Sequence, residues 1–194
     1  MSLYTDITAG IVAWTNRPLM TAEMDIAIRQ ALRAAHRAAK FPRDLVEVAV
    51  TGLSTTTVPQ VIDLSVVAPL CRQIATVKPT GINLAYKEVL IGDLFDPDGF
   101  YRTDVFYGLG TNLLIRPGAA YDAATITYYK NPVVSPLSAI DSWIATDHQD
   151  LVVCWAAASV LAAMGEQEIK TRVEAIAGIS LQQLIAERLT LAGA

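Results

Sequence analysis

The sequence predicts an α+β fold: a helical bundle formed by the N- and C-terminal parts, with an inserted antiparallel β-rich region. Three observations carry this reading. Apolar residues recur at helical spacing near the N-terminus and again over the last third. The middle of the chain alternates apolar and polar residues between short turn signals. Strand-like and helix-like runs are segregated, which marks α+β rather than α/β. With 194 residues and no composition break resembling a linker, the chain reads as a single domain. Residues 1–42 and 136–194 are assigned to the bundle, 43–135 to the insertion and 179–194 to a C-terminal docking segment.

The first helix is expected from Thr21, read as its N-cap, to about Lys40, before Pro42. Glu23 and Asp25 fall in the first turn, where the helix dipole favours acids. At about 100° per residue, Met24, Ala27, Ile28, Ala31, Leu32, Ala35, Ala38 and Ala39 share one face. Arg29, Arg33, His36, Arg37 and Lys40 occupy the opposite one, interrupted by Ile26. Asp25 and Arg29 are spaced for an i,i+4 pair.

Strand signals follow. Val46, Val48 and Val50 alternate with Glu47, Ala49 and Thr51. The STTTV segment and Pro59 read as a turn or strand edge, and a second run surrounds Ile74, Thr76 and Val77. IGDLFDPDGFY reads as a solvated loop. DVFYGL, TNLLIRP and ATITYYK, separated by turns containing Gly110 and Gly118, are expected to form an antiparallel meander. AIDSWIA then reads as a short helix. LVVCWAAASVLAAM is apolar all round and predicts a helix surrounded by protein, ending at Gly165. A last amphipathic helix begins near Glu166, is interrupted at Gly178 and resumes through Leu181, Leu184, Ile185 and Leu189.

Composition narrows the function. Apolar residues make up 53 % and charged residues only 18 %, a surplus that suggests burial against other subunits. Net charge is −4, opposite to that of a general nucleic-acid binder. Cys71 and Cys154 are far apart in apolar surroundings, which fits a reducing compartment without a disulfide framework. The opening MSLYTDITAGIVAW has neither a basic n-region nor a long apolar core, so no signal peptide is expected. Leu151 to Met164 is too short for a membrane span of about 20 residues.

Chemistry-bearing motifs are sparse. There is no GxxxxGK[ST] and no GxGxxG; Gly108-Leu109-Gly110 reads as a hairpin turn. No two of the His and Cys residues are close enough for a zinc motif, and the acids of DLFDPD lack EF-hand spacing. No cofactor is expected. Asp147-His148-Gln149-Asp150 could supply a general base, but it reads better as the capped start of the apolar helix.

Four segments together resemble a known family: PLMTAEMDIAIRQALRAA, DVFYGLGTNLLIRP, TITYYKNPVVSPL leading to Trp143, and DHQDLVVCWAAASVLAAMG. Their order and spacing resemble the head-to-tail adaptor, or connector, proteins of tailed bacteriophages, to which the tail tubular protein A type is related. Gln60 to Leu64 stand where that family carries a Tyr-x-Leu-Pro-like segment.

The resemblance implies a structural virion protein in the neck, assembled in the host cytoplasm and without enzymatic activity. It implies a homo-oligomeric ring, commonly of about twelve copies, beneath the portal protein. Genomic DNA would pass through the lumen without sequence recognition, and the next tail or nozzle protein would dock below. No membrane is involved. Two alternatives stand beside it: a virion-associated peptidoglycan hydrolase, which needs two carboxylates flanking a cleft, and another tail ring protein such as a terminator or stopper.

On this reading Arg29, Arg33, Arg37 and Lys40 form a subunit or portal interface. Leu181, Leu184, Ile185 and Leu189 form the portal-docking stripe, the alternative being that they pack on the protein's own bundle.

Overall fold

The computed structural model describes residues 2–53, 58–81, 84–95, 97–119 and 121–191, with side chains as far as Glu187. In chain order the elements are α1 (Leu3–Thr15), α2 (Thr21–Arg37), β1 (Leu45–Thr51), β2 (Gln60–Asp63), α3 (Leu64–Val67), β3 (Cys71–Pro79), β4 (Lys87–Glu88), β5 (Val105–Leu109), β6 (Asn112–Arg116), β7 (Ala123–Lys130), α4 (Trp143–Asp147), α5 (Gln149–Met164) and α6 (Gln167–Leu191). The fold is α+β, with helices from both ends of the chain and sheets inserted between them. The chain divides into two compact units: residues 1–43 with 131–194, and residues 44–130.

In the helical unit, α5 is the element against which α1, α2, α4 and α6 pack. Its residues Leu151, Val152, Ala156, Ala157, Val160 and Leu161 are all buried, as an all-round apolar helix requires. Small residues let the backbones approach. A Cβ on Gly10 of α1 would stand 2.9 Å from Val153 Cγ1. At the end of α5, Gly165 takes φ +79°; its N–H donates to Ala162 O and the Glu166 N–H donates to Leu161 O. This paired closure satisfies carbonyls that the helix leaves open.

Helix α2 buries Met24, Ala27, Ile28, Ala31, Leu32 and Ala35 as its periodicity predicts; Ala38 is exposed. Thr21 is not the cap: Met20 holds that position without a side-chain hydrogen bond, and Thr21 is the first helical residue. Helix α1 buries Ile7, Ile11 and Thr15. It is capped by Ser2, whose Oγ accepts from Thr5 N at 3.3 Å. The break expected at Gly178 is absent, and α6 runs continuously from Gln167 to Leu191. A glycine inside a helix costs only about 1 kcal/mol relative to alanine. Burial of Val173, Ala177 and Leu184 on either side of it outweighs that.

The β unit holds two sheets around a shared core that includes Ile62, Val77, Phe106, Leu113, Ile115 and Ile126. One sheet has the order β1-β7-β3, all antiparallel; the other has the order β2-β6-β5-β4, with β4 and β5 parallel. In β1, Val46, Val48 and Val50 pack on the core while Glu47, Ala49 and Thr51 are exposed, the alternation read from sequence.

The expected three-strand meander does not form. β5 and β6 make a hairpin across Gly110, at φ +62°. β7, however, leaves β6 and becomes the centre of the other sheet. The connecting segment is too long for a tight hairpin and is anchored elsewhere, since Gly118 N donates to Asp104 Oδ1 at 2.8 Å. Ser54 to Thr57 of the STTTV segment lie outside the described residues.

Candidate interaction surfaces

The four basic residues of α2 do not share one environment. Arg33, Arg37 and Lys40 are exposed. Arg29 is half-buried, and its Nε donates to Val134 O at 3.4 Å. Asp25, expected to pair with Arg29, accepts a 2.7 Å hydrogen bond from the Tyr4 hydroxyl. That bond, with burial and the negative charge behind it, raises the Tyr4 pKa.

His36 was expected on this polar face and is instead buried. Its Nε2 shares a 2.9 Å hydrogen bond with Ser142 Oγ, which also accepts from Ala145 N at 3.1 Å and so caps α4. A serine hydroxyl on an imidazole is the start of a nucleophilic pair. Here both groups are buried and the hydroxyl is occupied as a cap, so the pair ties α2 to α4. Trp143 lies edge-on to both His36 and His148, and the Arg43 guanidinium stands 4.5 Å from its ring centroid. Arg43 also pairs with Asp147.

The DHQD segment makes its contacts within the helical unit. His148 occupies the cap position of α5 without a side-chain hydrogen bond, so neither Asp147 nor Asp150 caps the helix as expected. Asp150, in the first turn, accepts from Ser180 Oγ of α6 at 2.9 Å.

The described part of the stripe assigned to portal docking lies on the packed side of α6. Leu184 is 1 % exposed and belongs to the core of the helical unit. Leu181 packs against that core, and Ile185 is half-buried. The Leu189 side chain lies outside the described residues. Because α6 continues through Gly178, the phase set by Val173 and Ala177 carries Leu184 onto the buried side. A partner could reach Leu184 only by opening the bundle.

What α6 leaves exposed is a different flank, Ile169, Ile176 and Ile179. Elsewhere on this unit, Leu19 is 92 % exposed and Ile26 is 54 % exposed. Two adjoining hollows, of about 310 and 190 Å³, run along the seam between α2 and α5 and share Gln30 and Ser159 as lining.

In the β unit, the loop read as solvated carries an aromatic cluster. The Phe95 and Tyr101 rings lie 4.2 Å apart, and the Arg116 guanidinium sits 4.0 Å from the Tyr101 ring centroid. Phe95 O accepts from Arg102 Nε at 3.3 Å. Phe100, Leu90 and Ile91 are exposed beside it in sequence. Aromatic residues and arginine are the types enriched at protein interfaces. The signal is legible in the sequence as three aromatics, Phe95, Phe100 and Tyr101, within an Asp/Pro/Gly loop.

Burial raises the pKa of both Cys71 and Cys154, which disfavours the reactive thiolate. Among the described residues no group of His, Cys, Asp and Glu could hold a metal ion, and no helix is long and apolar enough to cross a membrane. No family model matches the chain, and no curated protein matches it.

Proposed function

We propose that the chain is a structural subunit of a tailed-phage virion: an adaptor that forms a ring between portal and tail and continues the DNA channel. The observation that carries this reading is the exposed apolar surface on both units. The helical unit offers Ile169, Ile176, Ile179 and Ile26, and the β unit offers Leu90, Ile91, Phe95, Phe100 and Tyr101. A subunit that contacts neighbours on several sides needs apolar surface of this kind. The sequence resemblance to head-to-tail adaptors supplies the identity of the assembly.

With Leu184 inside the bundle, docking on the portal falls to exposed groups. Arg33, Arg37 and Lys40 are suited to meet carboxylates of a neighbouring subunit or of the portal in charge-assisted hydrogen bonds. DNA in the lumen would be passed without sequence recognition, in keeping with the net charge of −4.

Negative-stain imaging of the purified protein, alone and mixed with its portal, tests this. The expected result is a ring of about twelve copies seated on the portal. Cryo-microscopy of virions that showed the chain only as a decoration on the capsid exterior would overturn the proposal.

A further inference from the structure

We propose that the helical unit carries both halves of a head-to-tail contact between copies. The exposed isoleucine flank of α6 on one copy seats in the groove between α2 and α5 of the next. This rests on the ring reading above and names the contact that builds the ring.

The groove is the pair of adjoining hollows on the α2–α5 seam. Its walls include Ala34, Ser159 and Ala162, all exposed, and Ile26 stands on its lip. These small residues leave room for side chains of an incoming helix between the larger Gln30 and Trp155, which also line the groove.

The knobs lie on α6. At about 100° per residue, Val173, Ala177 and Leu184 define its buried side. Ile169, Ile176 and Ile179 fall on one flank of that side, and Lys170 and Glu174, which border the groove, fall on the other. Groove and knobs therefore face away from each other on the same unit. A contact between two different patches is heterologous, and repeats into a ring or a filament instead of closing as a two-fold dimer.

Charge identifies the occupant as a second copy and fixes its direction. The α2 lip runs from Glu23 to Arg37, and the α6 flank runs from Arg172 to Glu187. At the rise of an α-helix these spans are nearly equal, about 21 and about 22 Å. Laid parallel, Arg172 meets Glu23 and Glu187 meets Arg37, with Ile176 and Ile179 along the groove between them. Laid antiparallel, like charges would oppose each other. Arg172 and Glu187 have partners within their own chain, Glu168 and His148, but the side chains are 73 % and 60 % exposed and can be shared.

The test uses two exposed positions. Ala34→Tyr fills the groove and Ile176→Lys spoils the flank; far-ultraviolet dichroism and melting temperature should match the wild type for both. In sedimentation velocity over a concentration series, with and without portal, each variant should associate at least about tenfold more weakly than the wild type. An equimolar mixture of the two variants keeps one intact contact per pair, so it should form a dimer that grows no further. Arg37→Glu should weaken association, and adding Glu187→Arg should restore it. Ring formation by both variants at wild-type concentration would overturn this contact while leaving the adaptor reading standing. Wild-type rings that depend on both patches but never seat on portal would leave the contact standing and overturn the adaptor reading. A wild type that stays monomeric with and without portal would overturn both.

Discussion

The two units differ in how their buried hydroxyls are partnered, although each leaves some buried polar atom without a hydrogen bond, Asn131 Oδ1 in the helical unit. In the helical unit, interior hydroxyls and rings have partners: His36 with Ser142, Ser180 with Asp150, and Thr15 with the carbonyl of Ile11. In the β unit, the Tyr86 and Tyr121 hydroxyls and Arg116 Nε are buried without a hydrogen bond. Packing differs in parallel. In the helical unit Gly10 and the buried alanines lie among large aliphatic side chains such as Ile28, Leu32 and Leu151, whereas the core of the β unit carries more aromatic side chains, such as Phe106, Tyr121 and Tyr128. At Gly10, where α1 meets Val153, the helical unit has no space for an added methyl. The Tyr86 and Tyr121 hydroxyls of the β unit gain no hydrogen bond on burial, and removing them leaves room to improve it.

The sharpest break in that comparison is a cavity at Leu184. Leu184→Ala should cost about 2–5 kcal/mol, whereas Ile179→Ala on the exposed flank of the same helix should fall within about 0.5 kcal/mol. Tryptophan fluorescence during denaturation suits the measurement, because Trp14, Trp143 and Trp155 all belong to the helical unit. If the two variants cost the same, the inward placement of Leu184 is wrong.

Ser142→Ala comes next. It removes the cap of α4 and leaves His36 buried without that partner, so a loss of about 1–3 kcal/mol is expected. Ser142→Thr should restore most of it if the hydroxyl is what matters.

Gly10→Ala should cost a similar or slightly smaller amount, about 1–3 kcal/mol, because the new methyl meets Val153. The matching change in the β unit, Gly108→Ala, meets nothing within 4 Å and should be nearly silent. Equal effects at the two glycines would dissolve the distinction between the units.

The smallest effect has the opposite sign. Tyr121→Phe and Tyr86→Phe each delete an unpaired hydroxyl and should be neutral or stabilising, by up to about 1 kcal/mol. They should also change the alkaline limb. Burial, with a smaller contribution from the Asp104 charge, pushes the Tyr86 pKa from 10.0 up to about 12. The unfolded chain then releases its proton first. Stability is intact below pH 10 and falls as the pH rises towards about 12. Tyr121 is raised in the same direction by burial. The double Phe variant should lose less stability between those values than the wild type, measured as urea midpoints across a pH series.

The sequence made the strongly periodic elements legible. The buried stripe of α2, the all-round apolar α5 and the β5–β6 hairpin each follow from a local pattern. What it hid was decided by distant partners. His36 is polar by composition and lies inside because Ser142 and Trp143 meet it there. β7 looks like the third strand of a meander, yet its partners are β1 and β3. Gly178 suggests a break that the packing of its neighbours overrules. The residues proposed for interfaces were legible in part. Arg33 and Arg37 could be read from spacing, whereas Ile176 and Ile179 needed the continuous phase of α6, and Phe95 with Tyr101 needed the fold of their loop.

One pairing in the β unit has a consequence for how such a chain can change over time. Leu45 at the start of β1 and Tyr129 near the end of β7 are register partners, so the chain enters and leaves residues 44–130 at points about 5 Å apart. An inserted segment whose ends are neighbours behaves as an interchangeable cassette. It can be lost and the gap closed by a short turn, or exchanged for another segment with adjoining ends, without moving Arg43 or Asn131. Recombination could therefore replace the inserted unit while the helical scaffold that receives it stays the same.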